Sequence, residues 1–152
     1  MASRRRMTEN EVTEMAVNTI LGQFIGKQPA IIPTFEIADE EGLRPDRVLA
    51  ALDEALSLEE MKKLNFDDLV IHAVESKVER QYLISPEFLG VTQASDYWGN
   101  YNWLAVSYDV DLTDSELRDL KRACRRERIG FVLCDKSRGE SCWNQVMMIL
   151  ST

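Results

Sequence analysis

The stretch from Leu69 to Lys77 constrains the fold most, because a nearly continuous apolar run ends there in charged residues. An almost unbroken apolar run of this length predicts a strand covered on both faces, and therefore a central strand of a sheet. Side chains alternate across a strand, so Glu75 and Lys77 project from the same face, next to Ala73. A carboxylate and an ammonium at the end of a buried strand are costly unless they pair at the rim of the sheet or serve a site. The strand alone leaves both interpretations open.

Helices and strands are predicted on both sides of this central strand. Thr8 to Glu11 matches a capping box, which predicts a helix running to about Phe24 or Ile25 with a wide apolar stripe, typical of packing on a sheet. Residues 30–37 are rich in β-forming side chains, and Pro33 indicates a sheet edge or a bulge. Further elements are a loop-and-helix segment at 78–97, strands at 102–108 and 129–134, a helix opened by a capping box at 113–116, and a short terminal strand or helix at 143–150. If residues 47–51 form a strand, the pattern predicts an α/β protein with a mixed β-sheet flanked by helices, in the order α-β-β-β-α-β-α-β.

The segment from Arg44 to Leu52 supports two interpretations. Pro45 can open a helix at Asp46, and alanine, leucine and glutamate dominate the residues after it, so intrinsic propensity favours helix. Alternatively residues 47–51 form the second strand of a hairpin, and the helix begins later, within 53–64. Only the strand places Asp46 beside the central strand, so this choice decides whether a site can form there.

Length and composition indicate one globular domain. The chain has 152 residues, of which 8–152 are predicted to form the domain, after a disordered basic tail at 1–7 that contains three arginines. No run approaches the roughly 20 apolar residues that a bilayer requires, so no membrane span is expected. Three cysteines without a C-x-x-C spacing favour reduced thiols and a cytoplasmic protein. A net charge of −8 disfavours indiscriminate binding to nucleic acid, so any contact with a polyanion must be local.

The order of elements and motifs resembles the PD-(D/E)xK nuclease superfamily, also called the restriction-endonuclease-like fold. It is most similar to small stand-alone members that resemble DNA-repair nucleases. The likeness covers about residues 8–136, and its motifs are Arg44-Pro45-Asp46, Glu75-Ser76-Lys77, Asp96-Tyr97-Trp98 and Leu104-Ala105-Val106. The resemblance implies a restriction-endonuclease-like mixed sheet and a metal-dependent hydrolase that cleaves phosphodiester bonds in DNA. Many nucleases of this fold pair to cut both strands, so the resemblance allows a homodimer and leaves the oligomeric state open.

The same resemblance assigns roles to residues. Asp46 and Glu75 would bind Mg²⁺ or Mn²⁺, completed by the backbone carbonyl of Ser76, and Lys77 would position water or stabilise negative charge. Glu14 corresponds to an acid that many members carry on the first helix. It lies at the edge of the apolar stripe, where an ordinary boundary residue is also expected.

Residues 118–128 provide a candidate DNA-binding surface. This segment has six basic and two acidic residues, and Arg122, Arg125 and Arg126 are candidate phosphate contacts. A solvated outer helix explains the same charges. Residues 81–112 contain no lysine or arginine, which leaves open a protein that keeps the nuclease fold without activity and binds a protein partner. A further hypothesis makes residues 8–64 a helical, winged-helix-like DNA-binding regulator.

The histidine and the aromatic residues favour structural roles. His72 alternates to the face opposite Glu75, so a buried packing histidine is expected rather than a metal ligand. Four aromatic side chains offer stacking surfaces for bases, although core and sheet-edge packing is favoured; they are Tyr97, Trp98, Tyr101 and Trp103.

Overall fold

The computed structural model describes residues 6–22, 28–32, 45–52, 57, 59–60, 63, 69–97, 99–135 and 140–143. In chain order its elements are α1 (Glu9–Leu21), β1 (Gln28–Ile32), β2 (Arg47–Leu52), β3 (Val70–Lys77), a 3₁₀ turn (Arg80–Tyr82), α2 (Leu89–Ser95), β4 (Tyr101–Ser107), α3 (Asp114–Arg126), β5 (Gly130–Asp135) and β6 (Glu140–Trp143).

Within these residues the six strands form one sheet in the order of the chain, from β1 to β6. Strands β1, β2 and β3 pair antiparallel, β3, β4 and β5 pair parallel, and β6 returns antiparallel to β5. Helices α2 and α3 make the crossovers that parallel pairing requires. The predicted α/β protein with a mixed sheet flanked by helices is confirmed, and β3 is central as its apolar run indicates.

Helix α1 covers one face of the sheet. Its capping box is present: Thr8 Oγ1 accepts from the Glu11 N–H, and Glu11 Oε1 accepts from the Thr8 N–H, each at 3.1 Å. The helix ends at Leu21, earlier than predicted, because Gly22 interrupts it with a residue of low helix propensity. The core on this face joins helix and sheet residues: Val12, Ala16, Val17, Ile20, Leu49, Val74, Trp103, Ala105, Val132 and Cys134.

Helices α2 and α3 cover the opposite face. The buried residues that they share with the sheet are Val91, Ala94, Leu104, Val106, Leu120, Ala123, Cys124, Phe131 and Leu133. Cys124 and Cys134 are buried free thiols on opposite faces of the sheet. The parallel strands β4 and β5 thus contribute buried side chains to the core on both faces of the sheet.

The structure decides between the helix and strand interpretations of residues 44–52, because residues 47–52 form strand β2. Residues 47–52 pair with β1 and β3, and Val48, Leu49 and Ala50 are fully buried. The helix that propensity favours is therefore wrong for this segment, because pairing on both sides and burial outweigh a preference of a few tenths of a kcal/mol per residue. The turn at 39–42, Pro33, most of the later helix within 53–64 and residues 144–150 lie outside the described residues.

The proposed helical module over residues 8–64 is also corrected. Its described parts do not form a separate unit, since β1 and β2 belong to the main sheet and α1 packs on β3, β4 and β5. In the described part of the chain, no helix is long and apolar enough to cross a bilayer.

Candidate metal centre

The parallel strands β3, β4 and β5 end at one side of the sheet, with Lys77, Ser107 and Asp135, and we call this side the carboxyl edge. The N-terminus of α1 lies at the same edge. Thr13 Oγ1 is 2.7 Å from Ser76 Oγ, and the Met7 N–H donates to Asp109 Oδ2 at 2.9 Å. Met7, assigned to the basic tail from sequence, is buried in the core under α1. Side chains from several elements therefore meet at this edge.

Glu75 occupies the buried end of β3 and is only 2% exposed. The Tyr97 hydroxyl donates to its Oε2, and Lys77 Nζ lies 3.5 Å from its Oε1. Glu75 and Lys77 pair in register with Leu104 and Val106, which belong to the core beneath α2 and α3. Both charged side chains are thus on that face, as the alternation of the strand predicts.

Asp46 is fixed by the backbone of β3. Its N–H donates to the Val74 carbonyl at 2.9 Å, and its Oδ2 accepts from the Ser76 N–H at 2.8 Å. Arg47 pairs with Val74, so the preceding residue lies beside Glu75. The structure therefore brings Asp46 and Glu75 together across antiparallel strands, and the backbone determines where the Asp46 carboxylate sits.

Glu9, in the first turn of α1, is the third acid of the group. One carboxylate oxygen from each of Glu9, Asp46 and Glu75 lies within 4.8 Å of the others. Glu14 does not join them, because its side chain is 53% exposed and forms an ion pair with Arg47. From sequence, Glu14 is favoured by its angle around the axis of α1. The distance of a side chain from the carboxyl edge depends instead on its position along that axis. Glu9 directly follows the N-cap, and that position is the signal that identifies it.

Burial and charge raise the affinity of this group for protons. Burial, followed by the negative charge of Asp46, raises the pKa of Glu75 to about 8, although Tyr97 and Lys77 oppose the rise. Burial and Asp46 likewise raise the pKa of Glu9, with Lys77 acting in the opposite direction. Burial and the Glu75 carboxylate raise the pKa of Tyr97. Because a metal ion must displace any proton that these carboxyls hold, the affinity of the group for a metal is expected to increase with pH.

Lys77 is held by the segment that follows β3. Its Nζ lies 4.8 Å from the centre of the Tyr82 ring, within range of a cation–π contact. A Cβ at position 90 would lie 3.1 Å from Lys77 Cγ and 3.1 Å from the Tyr82 carbonyl oxygen. Glycine at position 90 therefore allows α2 to approach the stem of Lys77 and helps to direct its ammonium toward Glu75.

The donor set fits a hard divalent cation. Mg²⁺ binds carboxylate oxygens at about 2.1 Å, so two ligands of one ion lie at most about 4.2 Å apart. Three ligands cannot all lie opposite one another, and adjacent octahedral ligands are about 3.0 Å apart, so oxygens within 4.8 Å of one another would move together by at most about 1.8 Å. Three carboxylates and one ammonium leave two negative charges when all are ionised, which a divalent ion balances. Ser76, whose carbonyl is a predicted ligand, lies between Glu75 and Lys77 with its N–H bound to Asp46.

The remaining candidate residues lie away from this group. Arg122, Arg125 and Arg126 are exposed on α3, where Arg122 is 3.9 Å from Asp119 and Arg126 is 3.9 Å from Glu127. Since α3 runs from the carboxyl edge to the opposite edge, Arg125 and Arg126 are at its far end.

The histidine and most of the aromatic residues contribute to packing. His72 is buried, its Nδ1 accepts from Trp103 Nε1 at 3.0 Å, and its ring stacks on Tyr101. Trp103 and Tyr97 are buried as well, so the preference for packing over base stacking is confirmed for them. Trp98 lies outside the described residues. The sequence did not assign Tyr97 its contact with Glu75, because a tyrosine twenty-two residues away carries no local sign of it.

Comparison of the chain with protein-family models, with curated proteins and with solved structures finds no match. The resemblance to PD-(D/E)xK nucleases therefore stays a prediction.

Proposed function

We propose that this protein is a divalent-cation-dependent hydrolase of phosphodiester bonds in DNA, with a restriction-endonuclease-like fold of the PD-(D/E)xK type. The observation that carries the proposal is the convergence of Glu9, Asp46 and Glu75 from three separate elements, with Lys77 beside Glu75. These three acids lie up to sixty-six positions apart in the chain and meet at the carboxyl edge. Ligand sites of α/β proteins commonly lie at this edge of the sheet.

The three carboxylates would hold Mg²⁺ or Mn²⁺, and the Ser76 carbonyl is a further candidate ligand. Hard oxygen ligands suit both ions. A bound ion would polarise a phosphoryl oxygen and lower the pKa of a coordinated water. The backbone N–H of Ser76 and the hydroxyl of Tyr97 hold Asp46 and Glu75 in place, so these two carboxylates have defined orientations before an ion binds.

Lys77 supplies positive charge where negative charge develops. Its ammonium projects from the same face of β3 as Glu75, and an ammonium there stabilises a phosphorane-like transition state or orients the attacking water. Tyr82 and Gly90 limit the positions that the side chain can adopt. Positioning of this kind provides much of the rate enhancement in phosphoryl transfer.

A cleavage assay with defined variants tests the proposal. Fluorescent single- and double-stranded DNA would be incubated with the wild-type protein in Mg²⁺, Mn²⁺ or EDTA. We expect cleavage only with a divalent ion, and a loss of at least about 100-fold for Glu9→Gln, Glu75→Gln and Lys77→Met. Glu14→Gln is the matched control, because it removes an exposed acid from the same helix.

Three results would overturn the mechanism. They are cleavage in EDTA equal to that in Mg²⁺, equal activity of Glu75→Gln and wild type, or equal losses in Glu9→Gln and Glu14→Gln. Calorimetry of metal binding to the same proteins distinguishes two causes of absent cleavage. Either the protein binds no metal, or it binds metal and the DNA tested is not its substrate.

A second candidate function is a protein-binding module on the same fold without catalysis. It is favoured by the exposed acidic residues of the carboxyl edge and by the absence of lysine and arginine from residues 81–112. Binding of Mg²⁺ without cleavage of any DNA tested is the result expected for this alternative.

A further inference from the structure

A cleft of about 470 Å³ opens at the carboxyl edge beyond the ends of β4 and β5. Its apolar wall consists of Val110, Leu112, Leu117 and Leu133, and the Tyr108 side chain stands at the cleft with 62% of its surface exposed. The volume lies in the lower part of the range for small ligand sites, so the cleft accepts a few side chains rather than a folded domain.

The polar lining of the cleft is acidic. Asp109, Asp111 and Asp114 contribute carboxylates, and Arg6 contributes the one cation among the described lining residues. Asp109 is engaged internally, since it accepts from the Met7 N–H and from the Ser107 hydroxyl. Two carboxylates therefore remain to face a ligand.

Asp111 and Asp114 are exposed, and within the described residues neither carboxylate has an ion-pair or hydrogen-bond partner. Asp114 also begins α3, where an acid stabilises the helix dipole. This interaction with the helix dipole leaves the carboxylate oxygens of Asp114 available to a ligand. Asp111 precedes the N-cap and has no such role in the helix.

We propose that this cleft binds a basic peptide segment of a partner protein, in which arginine or lysine is flanked by an apolar side chain. Carboxylates on a partly enclosed surface repel phosphate and favour a cation. The leucine and valine wall gains free energy only from an apolar neighbour. The exposed ring of Tyr108 adds a surface on which a guanidinium can stack. A basic and apolar segment is the occupant that satisfies all three, whether or not the protein is a nuclease.

Fluorescence anisotropy with a designed peptide tests this site. The probe is a fluorescein-labelled nonapeptide of alternating arginine and leucine, and its counterpart has glutamate in place of arginine. We expect the full-length protein to bind only the arginine peptide, and more weakly in 300 mM than in 50 mM NaCl. The double variant Asp111→Asn/Asp114→Asn should bind about fivefold to thirtyfold more weakly. Tyr108→Ala should weaken binding as well.

The control is Asp119→Asn/Glu127→Gln, which removes two exposed acids from α3 away from the cleft and changes the net charge equally. An equal loss in both double variants would show only general attraction to an acidic protein, and it would overturn the proposal. So would unchanged binding by Asp111→Asn/Asp114→Asn. The variant Arg4→Ser/Arg5→Ser tests whether the chain's own N-terminal arginines compete for the cleft. If the arginine peptide binds only to this variant, the cleft is a site for the N-terminal segment of the same chain, and the proposal of a partner protein is overturned.

Discussion

Glu75 has the environment that differs most from that of an ordinary carboxylate. It is buried, it lies near two other acids, and it is contacted by one hydroxyl and one ammonium. A carboxyl with a pKa raised to about 8 is stable in the fold mainly while it holds a proton or a cation. Its titration therefore connects stability, pH and metal binding in a single residue.

The first prediction concerns the pH dependence of stability without metal. The folded protein keeps a proton on Glu75 up to about pH 8, whereas the unfolded chain releases it near 4.5, so the free energy of unfolding falls as pH rises through this window. Between pH 6.5 and 8 the loss should be about 2 kcal/mol. Urea denaturation at several pH values measures it.

The pH window avoids most of the His72 titration, and the Glu75→Gln variant separates Glu75 from Glu9, whose pKa is also raised by burial and Asp46. Burial lowers the pKa of His72 to about 4, so His72 costs stability as pH falls below 6.5 and changes little above it. Glu75→Gln should remove the loss between pH 6.5 and 8, and Glu14→Gln should keep it. Parallel curves for Glu75→Gln and wild type would show that Glu75 does not cause the slope.

The second prediction concerns Tyr97. Its hydroxyl donates to Glu75 and is buried, so Tyr97→Phe removes the donor that orients one carboxylate oxygen. We expect a loss of about 1–2 kcal/mol in stability and an affinity for Mn²⁺ about tenfold lower, as for other groups that orient ligands. Denaturation and calorimetry measure the two effects. Tyr108→Phe, at an exposed ring, should change neither, and unchanged metal affinity in Tyr97→Phe would exclude the orienting role.

At the scale of helices and strands, some of the structure could be predicted from sequence and some could not. Both capping boxes and the strand from Val70 to Lys77 rest on local signals, and the structure has all three. The secondary structure of residues 47–52 could not be decided from sequence, because pairing with strands far along the chain overrides the helical propensity of this segment. Glu9 was missed for a related reason: which acid of α1 reaches the site depends on where the helix ends relative to the sheet.

The third prediction uses the two capping boxes as a matched pair. Thr8→Ala and Thr113→Ala each remove one side-chain cap and should each cost about 1 kcal/mol of stability. Only Thr8 adjoins Glu9, so only Thr8→Ala should also weaken Mn²⁺ binding, by several-fold. Denaturation and calorimetry on both variants test this, and equal metal affinities would indicate that the cap does not position Glu9.

At the scale of the whole molecule, the largest groups of acids and of exposed arginines among the described residues lie in different places. Acidic side chains gather at the carboxyl edge, while α3 carries exposed arginines along its length and at its far end. Composition predicted that any contact with a polyanion is local, and the exposed arginines of α3 are the surface on which such a contact is expected. The sequence could not place the basic surface relative to the acids, because that depends on the direction in which α3 crosses the sheet.

The fourth prediction rests on this separation. Helix α3 has 13 residues and is about 20 Å long, so Arg125 and Arg126 lie roughly six base pairs of duplex from the carboxyl edge. If DNA lies along α3, the triple variant Arg122→Gln/Arg125→Gln/Arg126→Gln should raise KM for long duplexes and leave kcat unchanged, because these side chains are remote from the reacting bond. Each lost phosphate contact should also reduce the slope of log affinity against log salt by about 0.9.

Varying the length of the DNA duplex tests whether the arginines of α3 contact the substrate. Substrates shorter than about six base pairs cannot extend from the carboxyl edge to the end of α3, so wild type and the double variant Arg125→Gln/Arg126→Gln should cleave them equally. A longer duplex gains contacts only in the wild type, and its affinity should increase with length until the arginines are reached. Lys63→Gln, which removes one exposed lysine elsewhere, should leave this dependence on length unchanged. Identical salt slopes for wild type and the triple variant on long duplexes would make α3 a solvated outer helix, and a nuclease would then have to hold DNA through the carboxyl edge and its bound metal.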